Sequence, residues 1–320
     1  VTFQRLLVLN LALLALMILA SRLALVIHEG GGHAVPATML GARKVTIRLS
    51  ALGGGFVSVD YPQSHPPSKA GVVIFDLGGI ALNLLTGAGA WFWARRLKTR
   101  ELPYIALLFV GVGSVAGAIL YLTCGFYYGS GDPVGFAPAT EDISNLQWAW
   151  VLFLPAAAAV AWLGARHYLD FLSGHVQLDS PRRRIGWMLA TVGAAGLCYF
   201  GLWLALRNPQ IEGSTAQWRL EREIEKETVR RTEVEAARTP VPTPLHTPPP
   251  AQIVVRAEEV ADRVPAPVGP LVLYGTFAVS GMAALWRARP SPATAESRPA
   301  IALGLAALAA GIVTAFALWG

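Results

Sequence analysis

The stretch Val26-Ile27-His28-Glu29-Gly30-Gly31-Gly32-His33 decides how this chain is read. Two histidines and a carboxylate stand at the end of an overwhelmingly apolar run that begins at Leu6. Ionisable side chains at membrane depth are costly, and each marks a functional site by default. A His-Glu…His cluster is also the usual way for one helix to hold zinc beside a carboxylate that activates water.

The usual zinc helix reads H-E-x-x-H, with its histidines at i and i+4. Here the pattern is HExxxH, so His28 and His33 stand at i and i+5. At about 100° per residue, regular α-helix would set the two imidazoles about 140° apart around the axis. A one-residue π-bulge brings them back toward one face, and such bulges gather at functional sites. Gly30, Gly31 and Gly32 are the residues expected to tolerate it, each at about 1 kcal/mol relative to Ala. The competing reading is a small-residue seam for helix packing with two incidental histidines.

Of the 320 residues, 54% are hydrophobic and 14% charged. Several uncharged runs reach the roughly 20 residues that cross a bilayer. The expected class is an all-α polytopic membrane protein with about seven transmembrane helices and a small β-hairpin after the first. A β-barrel would show short alternating segments instead. Cys124 and Cys198 form no C-x-x-C pair and carry no redox information. No cleavable signal is evident, because the first apolar run continues into the motif. The net charge of +6 suits basic loops at a membrane surface better than nucleic-acid binding.

The first helix is expected from about Leu6 to Leu40. Arg22 reads as an ion-pair partner of Asp76 in the next helix. Lys44 to Ser50 and Gly55 to Tyr61 alternate apolar and polar residues around Gly53-Gly54-Gly55, which predicts a hairpin over 44–61. Pro62, Pro66 and Pro67 end it; His65 among them reads as polar surface. Further spans are expected at about Ala70–Ala94, Leu102–Tyr128, Leu146–Leu163 (continuing polar toward Leu172), Ile185–Leu206, Val268–Trp286 and Ala300–Trp319. The third ends in Gly129-Ser130-Gly131-Asp132-Pro133, where Pro133 is expected to stop the helix. Residues 207–265 hold half of the chain's 20 acidic residues. Ser214 to Arg238 reads as an exposed helix, polar on all faces, and Thr239 to Pro250 as a polyproline linker. That segment reads as a solvated spacer or a partner-docking arm. The expected division is therefore a core over 1–140, two more spans over 141–206, an extramembrane loop over 207–265 and two C-terminal spans over 266–320.

A His-Glu…His helix, a Gly-rich β segment, a helix with Gly78-Gly79-x-x-x-Asn83 and a third helix ending in a Gly-Asp turn come in that order. The order resembles the site-2 protease group of intramembrane zinc metallopeptidases, over roughly residues 5–140. The resemblance implies that His28 and His33 bind zinc, that Glu29 activates water, that Asp132 is the third ligand and that Asn83 contacts substrate backbone. The chain departs from the family's pattern in its histidine spacing, in Pro133 after the aspartate, and in Gly-Gly with one extra residue before the Asn.

Metal chemistry also reaches this site without the family. A catalytic Zn²⁺ takes three protein ligands and leaves one position for water. His28 and His33 supply two, and Asp132 is preferred as the third because its helix runs parallel to the first and ends on the same side. One Zn²⁺ per chain and Glu29 as general base are therefore expected. The exposed hairpin edge is expected to hold an unwound membrane-protein substrate as an added strand. The expected setting is the lipid bilayer of a bacterial inner membrane, with no nucleic-acid partner. Two other readings stay open: a non-catalytic membrane scaffold that binds no metal, and a metal-binding or transport protein. The transport reading predicts polar residues along one route through several helices, and the fourth to seventh spans offer almost none.

Overall fold

The computed structural model describes residues 3–97, 101–135, 144–208, 215–238 and 254–287. Helix α1 (Phe3–Val26) runs without a break into a π-helical turn (Ile27–Ala34) and the short α2 (Val35–Met39). Strands β1 (Lys44–Leu49) and β2 (Gly55–Asp60) follow, then α3 (Lys69–Arg96) and α4 (Leu102–Tyr128). Beyond them come α5 (Ser144–Gln147), a 3₁₀ turn (Trp148–Phe153) and α6 (Leu154–Leu172). A second continuous helix joins α7 (Pro181–Met188), a π turn (Leu189–Gly193) and α8 (Ala194–Leu206); α9 (Thr215–Arg238) and α10 (Val268–Arg287) complete the described residues.

Six helices among the described residues are long and apolar enough to cross a membrane: Phe3–Met39, Lys69–Arg96, Leu102–Tyr128, Asn145–Leu172, Pro181–Leu206 and Ala261–Arg287. The chain is thus an all-α integral membrane protein with one small antiparallel sheet. The span expected at Ala300–Trp319 and the linker expected at Thr239–Pro250 lie outside the described residues. Fourth and fifth spans are longer than expected. Pro181 at the first turn, with Ser180 capping Arg183 N–H, starts the fifth several residues early, where Pro is well suited to an N-terminus.

The hairpin pairs Lys44 with Asp60 through Leu49 with Gly55, with Val45 opposite Val59 and Ile47 opposite Val57. The first half of its turn, Ser50 to Leu52, is buried and not solvated. Leu52 is 2% exposed and packs with Ala15, Ile18, Tyr199 and Trp203 between α1 and α8. Arg22 is what makes that insertion tolerable, and its role differs from the one its charge suggested. It does not pair with Asp76. Its guanidinium donates to the carbonyls of Ser50 at 2.9 Å, Leu52 at 2.8 Å and Gly53 at 2.7 Å. A buried turn needs donors for its carbonyl groups, and a planar fork of five N–H groups supplies several at once. Tyr199 adds one more, donating to Leu52 O at 3.0 Å.

Helix α4 stops one turn before Pro133. Gly129, with φ of 62°, takes the left-handed conformation that ends it, a conformation that costs glycine nothing. Ser130 N–H returns to Gly125 O at 3.0 Å. Pro133 then sits in a 3₁₀ turn, Asp132–Val134.

Chain parity decides which loops share a side. The first and third spans run in the same direction, so the motif helix, the hairpin and Asp132 meet at one end of the bundle. The fifth span also ends there, so α9 emerges on that side too.

Candidate metal centre

The π-helical turn covers the motif from Ile27 to Ala34, as the i, i+5 spacing with its three glycines predicts. Widening the helix returns both imidazoles to one face, and they meet there at 3.1 Å, Nε2 to Nε2. Asp132 Oδ2 lies 3.3 Å from His28 Nε2 and 3.1 Å from His33 Nε2. These three ligand-type atoms, from the first span and from the exit of the third, form a nearly equilateral triangle. Among the described residues this is the cluster of His, Cys, Asp and Glu that can hold a metal ion.

The glycines serve a purpose the sequence did not reveal. None of Gly30, Gly31 and Gly32 has a positive φ, so the distortion itself asks for no glycine. Close approach does. A Cβ on Gly32 would overlap the backbone of Gly78 and Gly79, and one on Gly78 would overlap Gly32 O. A Cβ on Gly79 would fall 2.6 Å from the His28 ring. A Cβ on Gly30 would meet nothing within 4 Å. The motif helix and α3 therefore touch backbone to backbone, as small residues allow inside membranes.

That contact sets the ring orientations. His33 Nδ1 lies 2.6 Å from Phe75 O of α3. A carbonyl only accepts, so Nδ1 carries the proton, and a neutral His33 turns the Nε2 lone pair inward. Asn83 of α3 lies 3.2 Å from His28 Nδ1. The residue expected to touch substrate backbone is thus placed behind a histidine, where partners of metal-binding imidazoles usually stand.

Asp132 is held from several sides. Its N–H reaches Tyr121 Oη at 3.4 Å, and the Tyr121 ring stands edge-on to His28 at 5.8 Å. Burial alone would raise its carboxyl pKa, but hydrogen bonds and charge from His28 and His33 outweigh it and bring it down to about 2. With the imidazoles protonated and no cation between them, the carboxylate is therefore ionised.

Glu29 is 5% exposed and lines a cavity of about 130 Å³ together with His33, Asp132, Phe75, Tyr121, Gly131, Trp218 and Gly55–Val57 of β2. Arg22 is occupied at the hairpin turn and does not pair with Glu29. Phe75, Tyr121 and Trp218 are lining residues that no local pattern in the sequence marks. Tyr121 is one of several hydroxyl-bearing residues in the otherwise apolar α4, and Trp218 belongs to α9, some ninety residues downstream. Asp76, expected to pair with Arg22, is instead buried, 8% exposed, and faces Gly135, where an added Cβ would lie 3.0 Å from its Oδ2.

No protein-family model, no curated protein and no solved structure matches the chain. Fold and site together define an integral membrane protein with a His₂-Asp cluster at one end of its bundle.

Proposed function

We propose that the chain is an intramembrane zinc peptidase of the site-2 protease kind, which hydrolyses a peptide bond of a membrane-protein substrate. The triangle of His28 Nε2, His33 Nε2 and Asp132 Oδ2 carries this reading. A tetrahedral zinc site with bonds of about 2.0–2.1 Å has ligand–ligand edges of about 3.3–3.4 Å. The three edges here measure 3.1–3.3 Å. Two imidazoles facing each other through Nε2 lone pairs would repel, and a cation between them and a carboxylate removes that repulsion. The donor set is of the three-ligand type that leaves a coordination position open.

The residues behind the ligands fit the same state. With Nε2 given to the metal, Nδ1 of each histidine must donate its proton. His33 donates to Phe75 O. His28 donates to Asn83 once the amide turns its oxygen to the ring, which also gives the buried Oδ1, unpartnered as placed, its acceptor role. Such partners fix the tautomer and make the imidazole more basic.

When bound, zinc supplies Lewis acidity and lowers the pKa of a coordinated water to about 7. The chain supplies the rest. Glu29 follows His28 directly, so it faces a different side of the helix, and it lines the cavity beside the triangle without belonging to it. It is the group that takes a proton from the attacking water and passes it to the leaving amine. Gly55, Phe56 and Val57 bring β2 to the same cavity, so a substrate strand added to this edge would lie beside Glu29.

Metal content of detergent-purified protein tests the centre: about one zinc per chain is expected, and none in His33→Ala. Glu29→Gln tests the chemistry. It should keep its metal and lose turnover of a membrane substrate by about 100-fold or more. Full activity in Glu29→Gln would remove the general-base role, and a metal-free wild type would remove the peptidase reading altogether.

A further inference from the structure

Trp218 is the part of the cavity that the proposed chemistry leaves unused. It comes from the start of α9, a helix otherwise dominated by charge. Its ring stands edge-on to Tyr121 at 6.3 Å, with an interplanar angle of 89°. It also lies over the Asp132 loop, so close that a Cβ on Gly131 would come within 3.3 Å of its six-membered ring. Trp218 therefore lines the cavity together with β2 and the Asp132 loop. The space left beside the ring, about 130 Å³, is well below the roughly 300 Å³ of the smallest ordinary ligand pockets. A peptide strand does not fit while this ring is in place.

The rest of α9 shows how the ring is held there. Glu223 is 5% exposed and Glu227 4%, low values for acids on a charged helix. Arginines bury them. Arg219 lies 2.7 Å from Glu223, and Arg231 lies 2.9 Å from Glu227. Arg263 reaches Glu227 at 3.3 Å and Glu223 at 3.9 Å, and Arg231 continues to Glu259. Glu259 and Arg263 belong to the short turns Ala257–Glu259 and Ala261–Arg263, just before α10. The first turns of α9 thus lie over the cavity while its middle is tied to the foot of the sixth span.

We propose that α9 is an autoinhibitory cover, with Trp218 as the plug and the Glu223–Glu227–Arg231–Arg263 network as the latch. Taking the peptidase reading as its premise, the site accepts a substrate strand only when α9 lifts. The plug is apolar and the latch ionic, so the two respond to different changes. Truncating the plug opens the cavity with the latch intact. High salt weakens the latch from its partly exposed arginine side and so loosens the plug without altering a side chain.

A thiol placed inside the cavity reads this without metal or turnover. In the full-length, detergent-purified chain carrying Cys124→Ala and Cys198→Ala, Glu29→Cys is treated with a water-soluble maleimide in the presence of a chelator. Adding Trp218→Ala should speed alkylation about ten-fold or more, as expected when a closed site becomes open. Glu223→Gln with Glu227→Gln, at native Trp218, should also speed it. About 0.5 M NaCl, which shortens the screening length to roughly 4 Å, should accelerate the parent but leave the Trp218→Ala chain unchanged. Should Trp218→Ala fail to fold, the latch variants and the salt series give the same reading on the native tryptophan. Equal alkylation with and without Trp218, or rates indifferent to both latch and salt, would overturn the cover. Absence of zinc or of cleavage would overturn the peptidase reading and leave the labelling result standing.

Discussion

Gly32 meets Gly79 backbone to backbone beneath the histidines, whereas Trp218 reaches the same cavity from a helix whose buried contacts are Glu223 and Glu227. The cradle is shaped by side chains that are missing. Its precision comes from two helices in contact without a Cβ between them, inside an apolar bundle that salt does not reach. The α9 helix is shaped by side chains that are present and charged, on the aqueous side, where their attraction is screened. Rigidity is therefore built into the half that must hold three ligand atoms within 3.3 Å of one another. Adjustability resides in the half that lies over the cavity.

One methyl group added to the cradle has the largest expected effect. Gly79→Ala places a Cβ 2.6 Å from the His28 ring, so the imidazole must leave the triangle. Zinc affinity should fall by at least about 100-fold, as when a metal ligand or its support is lost. Gly30→Ala, with nothing within 4 Å, should leave zinc affinity within a few-fold of wild type and gain slightly in helix stability. Competition against a chelating dye measures both. Equal affinities for the two variants would show that backbone contact does not set the ligand geometry.

Asn83 gives the next largest effect. Placed 3.2 Å from His28 Nδ1, it should support the ring, and Asn83→Ala should weaken zinc binding about 10- to 100-fold. The family resemblance instead implies a substrate contact, under which zinc affinity would be untouched and KM alone would rise. One titration separates the two.

The chain's own letters carried much of this. Apolar runs placed the spans, strict alternation placed the hairpin within a residue at either end, and three glycines between two histidines foretold the π turn. Gly129-Ser130-Gly131-Asp132 pointed to the loop that meets the histidines. What stayed hidden has a common physical cause. Arg22 binds main-chain carbonyls, which every residue has, so no acidic partner in the sequence can mark its destination; charge matching led to Asp76 in error. The glycines looked like conformational relief, because the helix they touch lies some fifty residues away. Tyr121 and Trp218 each reach the site by long-range closure, which leaves no periodic trace in a local window.

Arg22→Gln would sharpen the account of the hairpin. A charged donor to a carbonyl contributes about 1.5–3 kcal/mol, and this guanidinium serves three turn carbonyls. Replacement should cost about 2–4 kcal/mol, since glutamine restores one bond and leaves buried acceptors unpaired. The measurement is the denaturation midpoint in detergent. Asp76→Asn in the same background should add its own effect without rescue, because the two residues are not paired. Rescue would restore the ion pair that the structure lacks.

The smallest expected effect concerns acid. Hydrogen bonds from Arg230 and Arg231, joined by one from Arg263, hold the Glu227 carboxyl well below the ordinary carboxylate range. Arg231 does the same, more mildly, for Glu259. A group whose pKa is lower folded than unfolded stabilises fully above the unfolded value, about 4.3 for glutamate. That stabilisation is lost only as pH falls through the folded value. Between neutral pH and about pH 5 the latch should therefore be indifferent to protons, while it yields to salt. The reading is the ratio of Glu29→Cys alkylation rates with and without Trp218→Ala, which cancels the ionisation of the thiol itself. A constant ratio from pH 7 to pH 5, followed by collapse toward unity in high salt at either pH, sets an ionic latch apart from the packed glycine contact beneath it. A ratio that collapses between pH 7 and pH 5 at low salt would mean that these carboxylates titrate above their ordinary range, and the arginine network would lose its place as the latch.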